Sequence, residues 1–215
     1  MAVVADHDAL RRIYGTPSGR SVAKELDRLD PHCLGFIALS PFVLIATADA
    51  QGRADVSPRG DLPGFVTASA HELLIPDRPG NNRLDSLGNI LATGQVGLLF
   101  LIPGVDETLR VNGRAEIRDD AELTGRFVVG GKAPRTVLRV EVREAYLHCA
   151  KAFMRSRLWD VEAQVERGAL PTMGEMLRDQ IAGKEPPGTG PASPFATAAP
   201  ESQEAMVARY REILY

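Results

Sequence analysis

This 215-residue chain is short of several things, and each shortage narrows what it can be. Two cysteines, Cys33 and Cys149, cannot make the disulfide framework of a small secreted domain. No apolar run approaches the ~18 residues of a membrane-crossing helix. The opening MAVVADHDAL lacks the charged-then-apolar order of an export signal, so a soluble, cytoplasmic protein with no membrane partner is expected. The net charge of −3 leaves no positive excess for a nucleic-acid surface. GxGxxG, Walker and HExxH motifs are missing, as is any internal repeat. Tryptophan occurs once, at position 159.

What remains is a globular composition, 44% hydrophobic and 25% charged, enough for one core with appendages. Short helices are expected over 6–14 and 21–29, the second stopped by Asp30-Pro31. PFVLIATA (41–48) reads as a buried strand. Asp49-Ala50-Gln51-Gly52 turns it back into a strand with Arg53, Asp55 and Ser57 on a wet face and Ala54 and Val56 on a buried one. Gly64–Thr67 and His71–Ile75 read as a second hairpin. A helix over 83–94 follows, capped by Asn82, striped by Leu84, Leu87, Ile90 and Leu91, and closed by Gly94. QVGLLFLI (95–102) is an apolar strand and TLRVNGRAEIR (108–118) alternates cleanly, with small residues at Gly113 and Ala115 for close packing or curvature. Asp119-Asp120 starts a short helix, and TVLRVEV (136–142) is a further strand. Six or seven strands with one inserted helix read as a β-barrel with flanking helices, because the βαβ alternation of a Rossmann sheet is missing. Residues 1–160 form this domain. Residues 161–215 form a helical extension with a capping box at Thr172 and Glu175, a Pro/Gly-rich linker over 183–200, and a last helix from about Glu201. That helix carries Met206, Tyr210, Ile213 and Leu214 on one side, to dock on its own body or on a second subunit.

Everything is organised around RADVSPRGDLPGFVTASAHELLIPDRPGNNR (53–83), with arginines at 53, 59, 78 and 83. Ser57-Pro58-Arg59-Gly60-Asp61 and Pro76-Asp77-Arg78-Pro79-Gly80-Asn81-Asn82-Arg83 both sit where strand patterns stop. One Arg-rich loop is most often a solvated turn. Two of them around one strand, the second leading into a helix start, suit a phosphate, which guanidinium groups bind bidentately and helix-start N–H groups bind as further donors.

These residues resemble the FMN-binding split-barrel proteins related to pyridoxamine 5′-phosphate oxidase, in particular bacterial members of about 200 residues. The resemblance runs from about Tyr14 to Trp159, through YGTPS (14–18), SPF (40–42), DVSPRGD (55–61), IPDRPGNNRLDSLGNIL (75–91), LLFLIPG (98–104), LRVNGRA (109–115) and HCAKAFMRSRLW (148–159). It implies a six-stranded split barrel, a homodimer, and FMN in a groove between subunits. On the same basis Arg59, Asn82 and Arg83 hold the phosphate. Ser57 and Pro58 lie beside the ring system, with Asp77 and Arg78 on the adjoining loop, and Lys151, Arg155, Ser156 and Trp159 close the site from the partner subunit. The oxidases proper end in an Arg-x-His segment that grips the substrate phosphate. Here the sequence ends in ARYREILY, so vitamin B6 oxidation is not expected.

Two functions follow. One is an FMN-dependent oxidoreductase with an unknown small-molecule substrate and no identified catalytic residue. The other is a non-catalytic carrier or sensor of flavin, deazaflavin or haem, for which His71 is the one barrel histidine on offer. His32-Cys33 and His148-Cys149 read as buried soft side chains on strands, not as metal ligands. Asp49 and Asp61 read as turn residues. Arg59-Gly60-Asp61 spells an integrin tripeptide by coincidence. Trp159 either stacks on a flavin or anchors its own segment.

Overall fold

The structure is a computed structural model that describes residues 3–184 and 193–215. Seven strands run β1 (Phe42–Ala48), β2 (Ala54–Gly60), β3 (Thr67–Ala68), β4 (Glu72–Pro76), β5 (Gln95–Leu101), β6 (Thr108–Arg118) and β7 (Val137–His148). They form one antiparallel sheet in the order β2-β1-β5-β6-β7-β4-β3. The sheet curls into a split β-barrel, six strands as expected plus the two-residue β3. Its two borders are not joined to each other by a ladder. The helices are α1 (His7–Tyr14), α2 (Gly19–Ala23), α3 (Pro31–Leu39), α4 (Asp85–Thr93), α5 (Ala121–Gly125), α6 (Lys151–Ser156), α7 (Met173–Ala182), α8 (Pro194–Thr197) and α9 (Gln203–Glu212).

Alternation along the strands builds the core. Leu109, Val111, Gly113 and Ala115 of β6 point inward against Val43, Ile45, Leu98, Phe100 and Val140. A bulge at Asn112/Gly113 shifts the β6–β7 register. Gly113 sits there because a Cβ would lie 2.1 Å from the Glu141 carbonyl oxygen. The expected close packing at this position is thus a backbone-to-backbone approach that only glycine allows. Gly94 closes α4 in the left-handed region (φ 66°) and donates to the Ile90 carbonyl. Thr172 and Glu175 make the expected capping box on α7.

Several expectations are corrected. The helix over 21–29 stops at Ala23, because Leu26 leaves it to exchange two backbone bonds with Ala145 of β7, at 2.9 and 2.8 Å. Asp30-Pro31 is a start rather than a stop: the Asp30 carboxylate accepts from the Cys33 N–H and proline takes the first turn of α3. His32 and Cys33 are therefore helical, not strand residues. The last strand runs on from 142 to His148, since β6 is long enough to pair with all of it.

Asn82 does not cap α4. Leu84 occupies the cap position with φ 60° and offers no side-chain bond, while Asn82 itself lies at φ 56°. Of the α4 stripe only Leu87 and Ile90 are buried; Leu84 and Leu91 are exposed. The two faces of β2 are also reversed. Val56 is 60% exposed and Asp55, Ser57 and Arg59 are half-buried, because β2 is a border strand whose inner face looks into a cleft rather than the core. Pro58 is tolerated there for the same reason, with β1 on one side only. Residues 185–192 of the 183–200 linker lie outside the described residues, and its described part holds α8.

Replacing Gly113 by Ala should cost about 2 kcal/mol or more, since the added methyl meets backbone that cannot step aside. Gly97→Ala, whose nearest neighbour is the Asn112 side chain at 3.3 Å, should cost clearly less. Urea unfolding of the two variants would reverse this ranking if the bulge could relax.

Candidate functional site

A cleft of about 930 Å³ opens where the barrel fails to close. One wall is β2 from Asp55 to Gly60, and the other is the loop from Pro76 into the start of α4. The floor includes Phe65, and the segment 132–136 and Tyr215 complete the lining. The two Arg-rich loops singled out by the sequence thus meet across one opening.

Two ion pairs span it. The Arg59 guanidinium at the end of β2 donates to the Asp77 carboxylate after β4. In the opposite direction Arg78 Nε donates to Asp61 Oδ2 at 2.8 Å, and Arg78 Nη1 to the Phe127 carbonyl at 2.8 Å. Asp77 is held by its N–H on the Thr136 carbonyl (2.9 Å), so the 132–136 segment positions this loop. From α4, Ser86 Oγ donates to Asp55 Oδ2 at 2.6 Å and fixes the helix start against β2.

Asp61 is therefore not a solvated turn residue. Its side chain is 3% exposed, and besides Arg78 it accepts from the Leu62 N–H (2.8 Å) and the Tyr215 hydroxyl (2.7 Å). Burial pushes this carboxyl up, but the hydrogen bonds from Tyr215, Leu62 and Arg78 outweigh it and hold it below its usual range. The Tyr215 phenol moves up in response, chiefly through its bond to Asp61. Asp49 does act as a turn residue, accepting from the Gln51 and Arg53 N–H groups at 2.9 Å each.

Among the described residues three buried polar side-chain atoms lack a hydrogen-bond partner, and two of them belong to residues that line this cleft: Arg59 Nε and Thr136 Oγ1. Unsatisfied buried donors are rare and mark places where a further acceptor belongs. Arg83, by contrast, is exposed and pairs with Asp85 at 2.8 Å.

Of the residues singled out in the sequence, Ser57, Pro58, Arg59, Asp77, Arg78, Asn82 and Arg83 line the cleft. Lys151, Arg155, Ser156 and Trp159 do not line the cleft of their own chain. Trp159 Nε1 donates to the Val105 carbonyl at 2.9 Å and its ring stacks on Phe153, so it anchors the segment after β7 to the β5–β6 turn. Sequence reasoning missed Lys132, Thr136 and Tyr215. Lys132 lies in a segment with no pattern of its own, and Thr136 and Tyr215 stand at the ends of a strand and a helix pattern that say nothing about this cleft.

Neither His-Cys pair lines this cleft. Among the described residues no group of three or more His, Cys, Asp or Glu side chains is placed to hold a metal ion. Cys33 is buried and its thiol is pushed up to about 11, mainly by that burial. Cys149 is exposed and its thiol is lowered, chiefly by the Lys151 N–H. His148 is lowered by burial and by the nearby Arg110 and Lys24. His71 is exposed and does not line the cleft.

With this geometry in place, the comparisons with known proteins are decisive about family. A sequence model described as pyridoxamine 5′-phosphate oxidase matches residues 29–149, more than half of the chain. The chain belongs to the pyridoxamine 5′-phosphate oxidase family. Every strand of the barrel lies inside the matched region, and so does the cleft apart from Tyr215. Among solved structures, the chain is similar to HupZ of Group A Streptococcus, at 17% identity over 54% of this chain and 90% of that one, with a TM-score of 0.44. It is similar to General Stress Protein 26 of Bacillus anthracis, at 13% identity over 53% and 89%, with a TM-score of 0.41. It is also similar to HutZ, the haem storage protein of Vibrio cholerae, at 19% identity over 56% and 94%, with a TM-score of 0.39. No curated protein sequence matches it. Among the described residues no helix is long and apolar enough to cross a membrane.

Two outcomes follow from these environments. Asp61 is depressed in the folded chain, so its pair with Arg78 stabilises above the ordinary carboxylate range and is lost as pH falls through the depressed value. Arg78→Ala should therefore destabilise by about 3–5 kcal/mol at neutral pH, the cost of stranding a buried charge, and by less as the pH is lowered. Equal losses in chemical denaturation at neutral and acid pH would show that Arg78 does not compensate Asp61. A thiol reagent should modify Cys149 rapidly and Cys33 only on unfolding, read as one fast equivalent in the native protein and two in denaturant.

Proposed function

We propose that the cleft binds FMN and that the protein is an FMN-dependent oxidoreductase acting as a homodimer on a small molecule still to be found. The observation that carries this is the meeting of two Arg-rich loops across one cleft, whose lining residues Arg59 and Thr136 each keep an unpaired polar atom. A phosphate monoester supplies up to two negative charges and three acceptor oxygens, and Arg recognises it with geometry that Lys cannot match. Asp77 neutralises part of the Arg59 charge and holds the guanidinium in place with Nε unpaired. Asn82 and Arg83 sit at the same mouth, next to the start of α4. The volume of about 930 Å³ matches pockets that take cofactor-sized ligands.

When bound, the flavin supplies the hydride chemistry, so the chain's task is to hold, orient and shield it. In this reading Arg59, Thr136, Asn82 and Arg83 take the phosphate end. Ser57 and Pro58 on β2 border the rest of the cleft, with Asp77 and Arg78 fixing the facing loop. Lys151, Arg155 and Ser156 then act from the partner subunit, while Trp159 serves the fold of its own. A haem reading is weaker. No histidine lines the cleft among the described residues, and its one tyrosine is bonded to a carboxylate that keeps the phenol protonated, opposite to what a phenolate ligand needs. A deazaflavin is separated from FMN by spectrum.

The visible absorption spectrum of the purified protein, with and without added FMN, tests the cofactor, and light scattering tests the dimer. A flavin spectrum that survives gel filtration is expected. Arg59→Ala should weaken FMN binding by about 1.5–3 kcal/mol, the scale of a charged hydrogen bond, and Arg83→Ala by less because Asp85 already competes for it. Unchanged FMN affinity in Arg59→Ala would sink the phosphate assignment.

A further inference from the structure

The segment that ends in Tyr215 is bound to the barrel in an unusual way. Helix α9 buries none of its residues, and Ile213 and Leu214, expected to dock its apolar side, are 56% and 59% exposed. Its ties are to its own surroundings: Arg209 to Glu201 at 2.8 Å, and Gln203 to Arg167 at 3.0 Å. The barrel is reached again at Tyr215, inside the cleft. There the phenol donates to Asp61, the ring lies over the Arg78 guanidinium at 5.5 Å, and the Tyr215 main-chain oxygen accepts from Lys132 Nζ at 2.7 Å.

These contacts are polar and specific, and they use a carboxylate that the fold has already buried and paired. Without Tyr215, Asp61 would keep its bonds from Arg78 and from the Leu62 N–H. Tyr215 also leaves the cleft open, because the volume of about 930 Å³ is what remains with the ring in place. It is a wall of the site and not a plug in it.

We propose that Tyr215 is a ligand-retaining wall of the cleft, latched to Asp61, so that opening the latch speeds release of the bound cofactor. The inference rests on the FMN reading of the same cleft. Aromatic side chains give large contact area at little rotamer cost, and a bond to a buried carboxylate holds the ring where a bound planar group would meet it. A segment with no fully buried residue in its helix, and only Gln203, Met206 and Val207 half-buried there, can leave and return without disturbing the barrel core. Residence time, rather than encounter, is the quantity such a wall controls.

The test is the FMN dissociation rate of the full-length protein, measured by dilution or competition, for wild type, Tyr215→Phe and Tyr215→Ala. Tyr215→Ala should release FMN about tenfold faster with a much smaller change in association rate, and Tyr215→Phe, which keeps the ring and loses the latch, should fall between. Limited proteolysis gives a second reading. The bonds around Ile213 and Leu214 should be cut faster in Tyr215→Ala than in wild type, and FMN should protect the wild-type segment but not the variant's. Wild type that binds FMN, with both variants releasing it at the wild-type rate, would overturn the wall. So would a Tyr215→Phe variant identical to wild type, or a segment that FMN does not protect. Wild type that does not bind FMN at all would instead strike at the cofactor reading, and would remove the wall with it.

Discussion

The barrel does not close on itself, and two crossed ion pairs hold its open borders in register. Strand β2 has a partner on one side only, and the loop after β4 faces it without a ladder. Arg59 reaches from the first border to Asp77 on the second, and Arg78 reaches back to Asp61. Each border gives one cation and one anion, so the opening is bridged with little net charge. Remove these pairs and β2 loses its link to the loop that carries Asn81, Asn82 and Arg83. What hydrogen bonds do elsewhere in the sheet, paired side chains do here, and the space between them is the cleft.

Burial explains why this is stable as well as open. Asp61 is almost fully enclosed, a position in which an unpaired carboxylate would take a proton. Three donors reach it, and its charge is kept. Arg59 is different: it is partly exposed, has one carboxylate partner, and retains an unsatisfied Nε. The same kind of residue on the two sides of the opening therefore does two jobs. Arg78 spends its donors on the protein, with bonds to Asp61 and Phe127, while Arg59 still has one to offer. The proposed phosphate site fits this division, because a phosphate needs a donor held firmly but incompletely satisfied.

The barrel itself was legible in the chain. Alternation along 108–118, the apolar runs at 41–48 and 95–102, and the turn residues at Asp49 to Gly52 carry their own period and punctuation, so local reading suffices. The errors fall where a distant partner overrides local preference. Leu26 leaves its helix for Ala145, and β7 continues because β6 is there to pair with it. Asn82 yields the cap of α4 to a left-handed Leu84 that no periodicity marks. On β2 the alternation was seen but its faces were assigned the wrong way round, since a sequence does not say whether the inner side of a border strand meets core or cleft.

The arginines, their Gly-Pro turns and their places at strand ends are local facts, and the sequence alone determined that two anion-suited loops flank one strand. Which arginine is spent on the protein and which keeps a donor free was decided by tertiary structure. That depends on Asp61 and Asp77 lying across the opening, 17 and 18 residues along the chain from the arginines they bind. Thr136 and Tyr215 joined the site in the same way, Tyr215 from 154 residues beyond Asp61. No period or motif encodes such meetings, because a side chain's partner is set by where the backbone carries it and not by its neighbours in sequence.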